Sequence, residues 1–180
     1  DNDVTVREIA YNKEAVGAIQ AILKAQGAYL EDFALPEEIM SHWAYSGVKT
    51  LRALGLLDGG YGNNYYLDEP MGKWRYQNML NGVLNKAGIA HDYIEVNDNV
   101  PARQIIGTAA RAAASFVGVK NPDDFEGYKA WLLKEGILTE ELMPYFAESE
   151  TTPEADAVIM LCANLYKYLL AHGADGVQID

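Results

Sequence analysis

Between residues 43 and 76 the chain gathers side chains suited to holding a sugar. Trp43, Tyr61, Tyr65, Tyr66, Trp74 and Tyr76 cluster around one connection, with Asn63 and Asn64 beside them. Lys73 and Arg75 follow at the next helix start. Aromatic faces pack on sugar C–H surfaces, and side-chain amides both donate to and accept from hydroxyls. A cation pairs with carboxylate or phosphate. Together these groups suit an anionic glycan. The same types also serve packing, with Trp43, Tyr66 and Trp74 as core and the loop as a plain turn.

Other chemistries find less support. Gly60-Tyr61-Gly62 is followed by Tyr65, follows no strand and precedes no Lys-Ser or Lys-Thr, so the phosphate cradle of nucleotide sites is missing. His42, His91 and His172 show no metal-ligand spacing, and His42 beside Trp43 reads as a capping or packing group. No Gly-x-Ser-x-Gly occurs. The acidic pairs Glu37-Glu38, Asp123-Asp124, Glu140-Glu141 and Glu148 with Glu150 stand mostly at helix starts, where the helix dipole favours them. "EVNDNVP" lacks the spacing and closing Glu of a calcium loop. Cys162, the single cysteine, lies among apolar residues at helical spacing and reads as a buried small hydrophobe. No cofactor is implied.

These groups must be positioned by helices. Apolar residues fall at helical spacing in 12–27, 36–55, 71–88, 101–118, 121–136 and 151–173, with a short Pro-interrupted piece near 138–146. Asn121 reads as a cap with Pro122 in the first turn, and Thr152 and Pro153 repeat that pattern. The alanines of "PARQIIGTAARAAASFVG" imply close helix approach. Strand signals are confined to "YIEV" at 93–96 and "VTV" near the start, so the expectation is all-α with at most a short strand pair. The 180 residues suffice for one module, and no linker divides it. A net charge of -12 opposes nucleic acid and anionic membrane, and no apolar run is long enough to span a bilayer. The start "DNDVTVREIAY" lacks a basic, apolar leader, which fits a cytosolic chain or a mature or trimmed exported one.

A repeat is visible as well. Helix, Gly, aromatic loop, acidic turn and long helix recur in two segments. Leu51 precedes Gly55 as Leu132 precedes Gly136, and Tyr65-Tyr66 matches Tyr145-Phe146. In "HWAY…GLLDGGYGNNYYLDEPMGKW" the order His42-Trp43-Ala44-Tyr45, Gly60-Tyr61, Tyr66 in a Phe place and Glu69-Pro70 resembles the S-layer homology domain. The likeness covers 31–88 best. Residues 123–173 resemble a decayed copy, 12–27 the closing helix of another, and 89–122 match poorly. Gly72-Lys73-Trp74-Arg75 stands where that family has a Thr-Arg-Ala-Glu type motif, so Lys73 keeps the charge of its Arg without the fork geometry.

The resemblance implies a helical bundle of helix-loop-helix repeats with pseudo-threefold symmetry and sugar sites in the grooves between repeats. It implies a non-catalytic module that anchors an exported bacterial protein to cell-wall polysaccharide or another anionic glycan, at the cell surface or cell wall. The glycan would meet Trp43, Tyr61, Asn63, Lys73 and Arg75, with Lys13 as the equivalent cation of another groove. Two alternatives stand beside it: a structural or protein-interaction module of a surface protein, packed against neighbouring domains, and a carboxylate-dependent hydrolase.

Overall fold

The computed structural model describes residues 35–57 and 65–179, together with residue 18. The expectations for 12–27, and for the "VTV" strand, lie outside the described residues. The chain divides between Met40 and Ser41. Among the described residues before that point stands a short helix, α1 (Glu37–Met40), opened by Pro36, whose carbonyl accepts from Ile39 and Met40. After it come α2 (Tyr45–Ala53), α3 (Lys73–Lys86), α4 (Ala102–Val117) and α5 (Phe125–Lys134). A 3-10 turn (Met143–Phe146) and α6 (Ala155–Ala171) complete the order. Among the described residues there is no strand, only an isolated bridge between Pro70 and Glu154.

The long helices α3, α4 and α6 form the core of the second unit. Tyr76, Met79 and Val83 of α3, Ile105, Ile106 and Ala113 of α4, and Ile159, Leu165 and Leu169 of α6 are all fully buried. The Tyr76 hydroxyl pins α3 to α4 through Thr108 (2.6 Å) and the Ile105 carbonyl (3.2 Å). Helix α6 packs on α2, α3 and α4, and α5 covers α4. The α2–α6 approach is close: a Cβ at Gly47 would lie 2.7 Å from Met160 Sδ and 3.2 Å from its Cα. The alanine expectation holds, since Ala109, Ala110, Ala113 and Ala114 are at most 2 % exposed. Residues 89–122 match the repeat poorly in sequence, yet they supply one of the three core helices.

Helix starts differ from the sequence reading where other groups do the capping. Residues 36–55 are not one helix; 41–44 form turns, and the Ala44 N–H donates to His42 Nδ1 (3.1 Å) just before α2. Helix α5 is capped by Asp124, whose Oδ1 accepts from Gly127 N–H (2.7 Å), not by Asn121. Thr152 does not cap α6 either. Glu154 is the extended residue before it, and the N–H groups of Ala155 and Asp156 donate to the carbonyls of Glu69 and Leu67. Helix α4 begins in the same way, with Ala102 and Arg103 donating to Thr151 and Ser149. Neighbouring loop carbonyls thus satisfy the helix donors that a side-chain cap would otherwise take.

These junctions close a ring. The start of α6 binds the loop leading to α3, and the start of α4 binds the loop leading to α6. The start of α3 binds the loop leading to α4, through Lys73 Nζ and Asp98 Oδ1 at 3.3 Å. The repeated Gly positions agree. Gly55 and Gly136 both take left-handed backbone, with φ of 74° and 80°. After each, the next N–H reaches back to Leu51 or Leu132.

The "YIEV" segment forms no strand. Side-chain amides of α3 hold it instead. Val96 N–H donates to Gln77 Oε1 (2.8 Å) and Ile94 N–H to Asn81 Oδ1 (2.8 Å), while Asn81 Nδ2 donates to the Ile94 carbonyl (2.9 Å). His91 Nε2 meets Asn81 Oδ1 at 3.0 Å. The buried amides take the place of a partner strand.

Candidate functional site

Tyr61, Asn63 and Lys13 lie outside the described residues. The other three residues singled out for sugar binding have separate sets of partners. Trp43 is 37 % exposed and stacks on Tyr145, with ring centres 5.4 Å apart and planes 19° apart. Its indole N–H donates to Asp156 Oδ2 (3.1 Å). Lys73 is paired with Asp98 and lies 5.0 Å from the Trp74 ring centre. Arg75 turns inward: Nη2 is buried with no hydrogen-bond partner, and burial pulls its pKa down against the opposing influence of Tyr66. Of the aromatics read as core, Trp74 is exposed, and so is Tyr66; Tyr65 is the buried ring. Both tyrosines take left-handed backbone (φ 58° and 49°), and that turn sends Tyr65 inward.

Around Trp43 the surroundings are acidic. His42 Nε2 lies 3.6 Å from Asp68 Oδ1 and 3.9 Å from Asp156 Oδ2, and the three candidate ligand atoms fall within 4.8 Å of one another. That spacing could seat a cation, but the imidazole is set the other way. A metal-binding histidine offers one nitrogen to the ion and donates from the other. Here Nδ1 accepts from Ala44 N–H, so the neutral ring carries its proton on Nε2, facing the two carboxylates. Asp156 is committed too, since Oδ1 takes Ala157 N–H (2.7 Å) and Oδ2 takes the Trp43 indole. Burial raises its pKa first, opposed by these donors and by His42; burial and Asp156 raise that of Glu154. The cluster is a latch joining the 42–44 turn, the loop before α3 and the start of α6.

A different place gathers positive charge. Arg103, Gln104 and Arg111 of α4, Phe125 and Tyr128 of α5, and Ser149 line a cleft of about 340 Å³. The volume is in the range of small-molecule sites. Arg103, Gly107 and Arg111 stand at i, i+4 and i+8, on one face of α4. Gly107 is buried beneath Arg111: a Cβ there would lie 3.1 Å from Arg111 Nη1, so the glycine lets the guanidinium fold back over the helix. Arg111 Nη1 donates to the Tyr128 hydroxyl (3.5 Å), and the guanidinium carbon is 5.8 Å from the Tyr128 ring centre. Arg103 Nε donates to Glu150 Oε1 (2.9 Å). Lys129 adds charge behind Phe125, 4.4 Å from its ring centre, and is itself buried against Glu126 and the Phe146 carbonyl. In a chain with 26 Asp and Glu against 14 Lys and Arg, the cleft lining holds two arginines and no acidic residue.

The cleft was missed in the sequence because the aromatic loop at 58–74 drew the chemistry there and 89–122 matched the repeat poorly. The available signal was Arg103-x3-Gly107-x3-Arg111, two cations flanking a gap in an otherwise alanine-rich helix. Compared with known proteins, the chain matches no family model, no curated protein and no solved structure.

Proposed function

We propose that the protein is a non-catalytic binding module for an anionic polysaccharide, held in the cleft between α4 and α5. The reading places it on an exported bacterial protein, retained at the cell surface or cell wall by that polymer. One observation carries it. Two guanidinium groups share a cleft with Tyr128 and Phe125, and Arg111 has a phenol rather than a carboxylate as its partner. Arginine forks match carboxylate and phosphate oxygens, and the aromatic rings supply a face for the sugar. The resemblance to S-layer homology repeats supports the ligand class, while the cations that meet it move from Lys73 and Arg75 to Arg103 and Arg111.

The internal commitments of Trp43 and Lys73 favour a second reading, a helical module that packs against neighbouring domains. Binding separates the two. Polygalacturonate serves as an anionic probe and dextran as a neutral control, at 0.15 M salt, where distant acidic residues are screened. The wild type binds polygalacturonate and ignores dextran, and Arg111→Ala weakens binding about tenfold or more with unchanged circular dichroism. Equal binding by wild type and Arg111→Ala removes the cleft from the account. No retention of polygalacturonate or of purified cell-wall polysaccharide by the wild type favours the second reading.

A further inference from the structure

We infer that Glu150 is a built-in competitor for the anion cleft: its carboxylate occupies Arg103 in the position an acidic group of the ligand takes on binding. The inference rests on the cleft reading above. Its geometry is specific to one side chain. The loop bearing Glu150 is fastened to the start of α4, where Ala102 N–H donates to Thr151 and Arg103 N–H to Ser149, both at 2.9 Å. Glu150 is therefore held beside the same helix turn that carries Arg103, and Ser149 lines the cleft next to it.

The two arginines are unequally engaged. Arg103 Nε is 2.9 Å from Glu150, whereas Arg111 bonds only a phenol, at 3.5 Å. The Arg103–Glu150 pair is also open to water, with side chains 45 % and 71 % exposed. Exposed pairs of this kind contribute little, so an incoming anion displaces Glu150 at small cost. Arg111 then makes the first contact and Arg103 the second, once its internal partner swings into solvent. The competitor lowers affinity for weak or singly charged anions and leaves a ligand with several acidic groups able to compete.

The test is a double-mutant cycle on the full chain, read as affinity for polygalacturonate at 0.15 M salt. Glu150→Gln keeps the side chain's size and removes its charge. Glu148→Gln, at an exposed acid of the same loop that forms no ion pair with Arg103, makes the same change of net charge. The expected result is a gain of about two- to fivefold for Glu150→Gln and little change for Glu148→Gln. Arg103→Ala is expected to cost more in the Glu150→Gln background than in the wild type. Equal gains from both Gln variants reduce the effect to net charge and overturn the inference. A loss of affinity in Glu150→Gln overturns it in the other direction, since Glu150 would then be positioning Arg103 for the ligand. In either case the cleft reading survives if Arg111→Ala still weakens binding. Absence of binding in every variant removes both.

Discussion

At the scale of single residues, the decisive question is which charged groups are already spent. Lys73 has Asp98, and Asp156 has the Trp43 indole and Ala157 N–H. Arg75 has a buried Nη2 with no partner, which makes it a cost to the fold rather than a contact waiting at the surface. Arg75→Met keeps the aliphatic stem and removes that cost. Its melting temperature is expected to rise by about 2–4 °C, and a fall of similar size contradicts this account. Little of this was legible in the sequence. Residue types showed that cations and aromatics crowd residues 73–76, but not that Lys73 would find an acid 25 positions away. His42, expected to cap or pack, accepts the Ala44 N–H in the turn before α2, and α2 itself has no side-chain cap. The pattern marks Tyr66 as core, whereas Tyr65 is the buried ring, in a turn of two successive left-handed residues that no local signal encodes.

Helices and loops were more legible than sites. Periodicity located the long helices α3, α4 and α6 and their glycine stops, because burial of one face repeats locally along the chain. Their first residues were harder to place. Helices α4 and α6 are capped by carbonyls of distant loops, and no local sequence signal encodes a partner of that kind. The "YIEV" segment shows the same limit. Its composition favours a strand, yet it forms none, and its backbone partners are Gln77 and Asn81 on α3. Asn81→Ala is expected to destabilise the protein by about 2–4 kcal/mol, since the side chain is buried and holds several backbone groups at once. Hydrogen exchange offers the sharper check. The Ile94 amide should lose protection in Asn81→Ala while amides in the middle of α6 keep theirs relative to global unfolding. Unchanged protection at Ile94 rules out the amide clamp.

At the scale of the whole molecule, a strongly acidic chain carries a cleft lined by two arginines on a helical core rich in buried phenols. Burial is the leading cause raising the pKa of Tyr76, Tyr145, Tyr166 and Tyr168 and of Cys162. Tyr168 is pushed up to about 12, with Glu135 adding to the shift. The folded state therefore holds these protons more tightly than the unfolded chain, where a tyrosine loses its proton near its ordinary value of 10.0. For Tyr168 that contribution is complete below pH 10 and is lost as pH rises toward 12. Urea midpoints should fall steeply over that interval, and Tyr168→Phe should make the fall shallower. A slope unchanged by Tyr168→Phe contradicts the assignment. The all-α architecture was legible from composition and period alone. The cleft was not, because it is formed between α4 and α5 by residues that the repeat pattern does not mark.

The central claim is that an anionic polymer binds between α4 and α5. The most direct measurement is an amide and side-chain NMR titration of the protein with galacturonate oligomers at 0.15 M salt. The account predicts that the largest shifts fall on Arg103, Gly107, Arg111 and Tyr128, including the arginine Nε–H signals, while the Trp43 indole N–H stays on Asp156. Shifts centred on Trp43 and Tyr145 with α4 unaffected, or none at saturating oligomer, would contradict it.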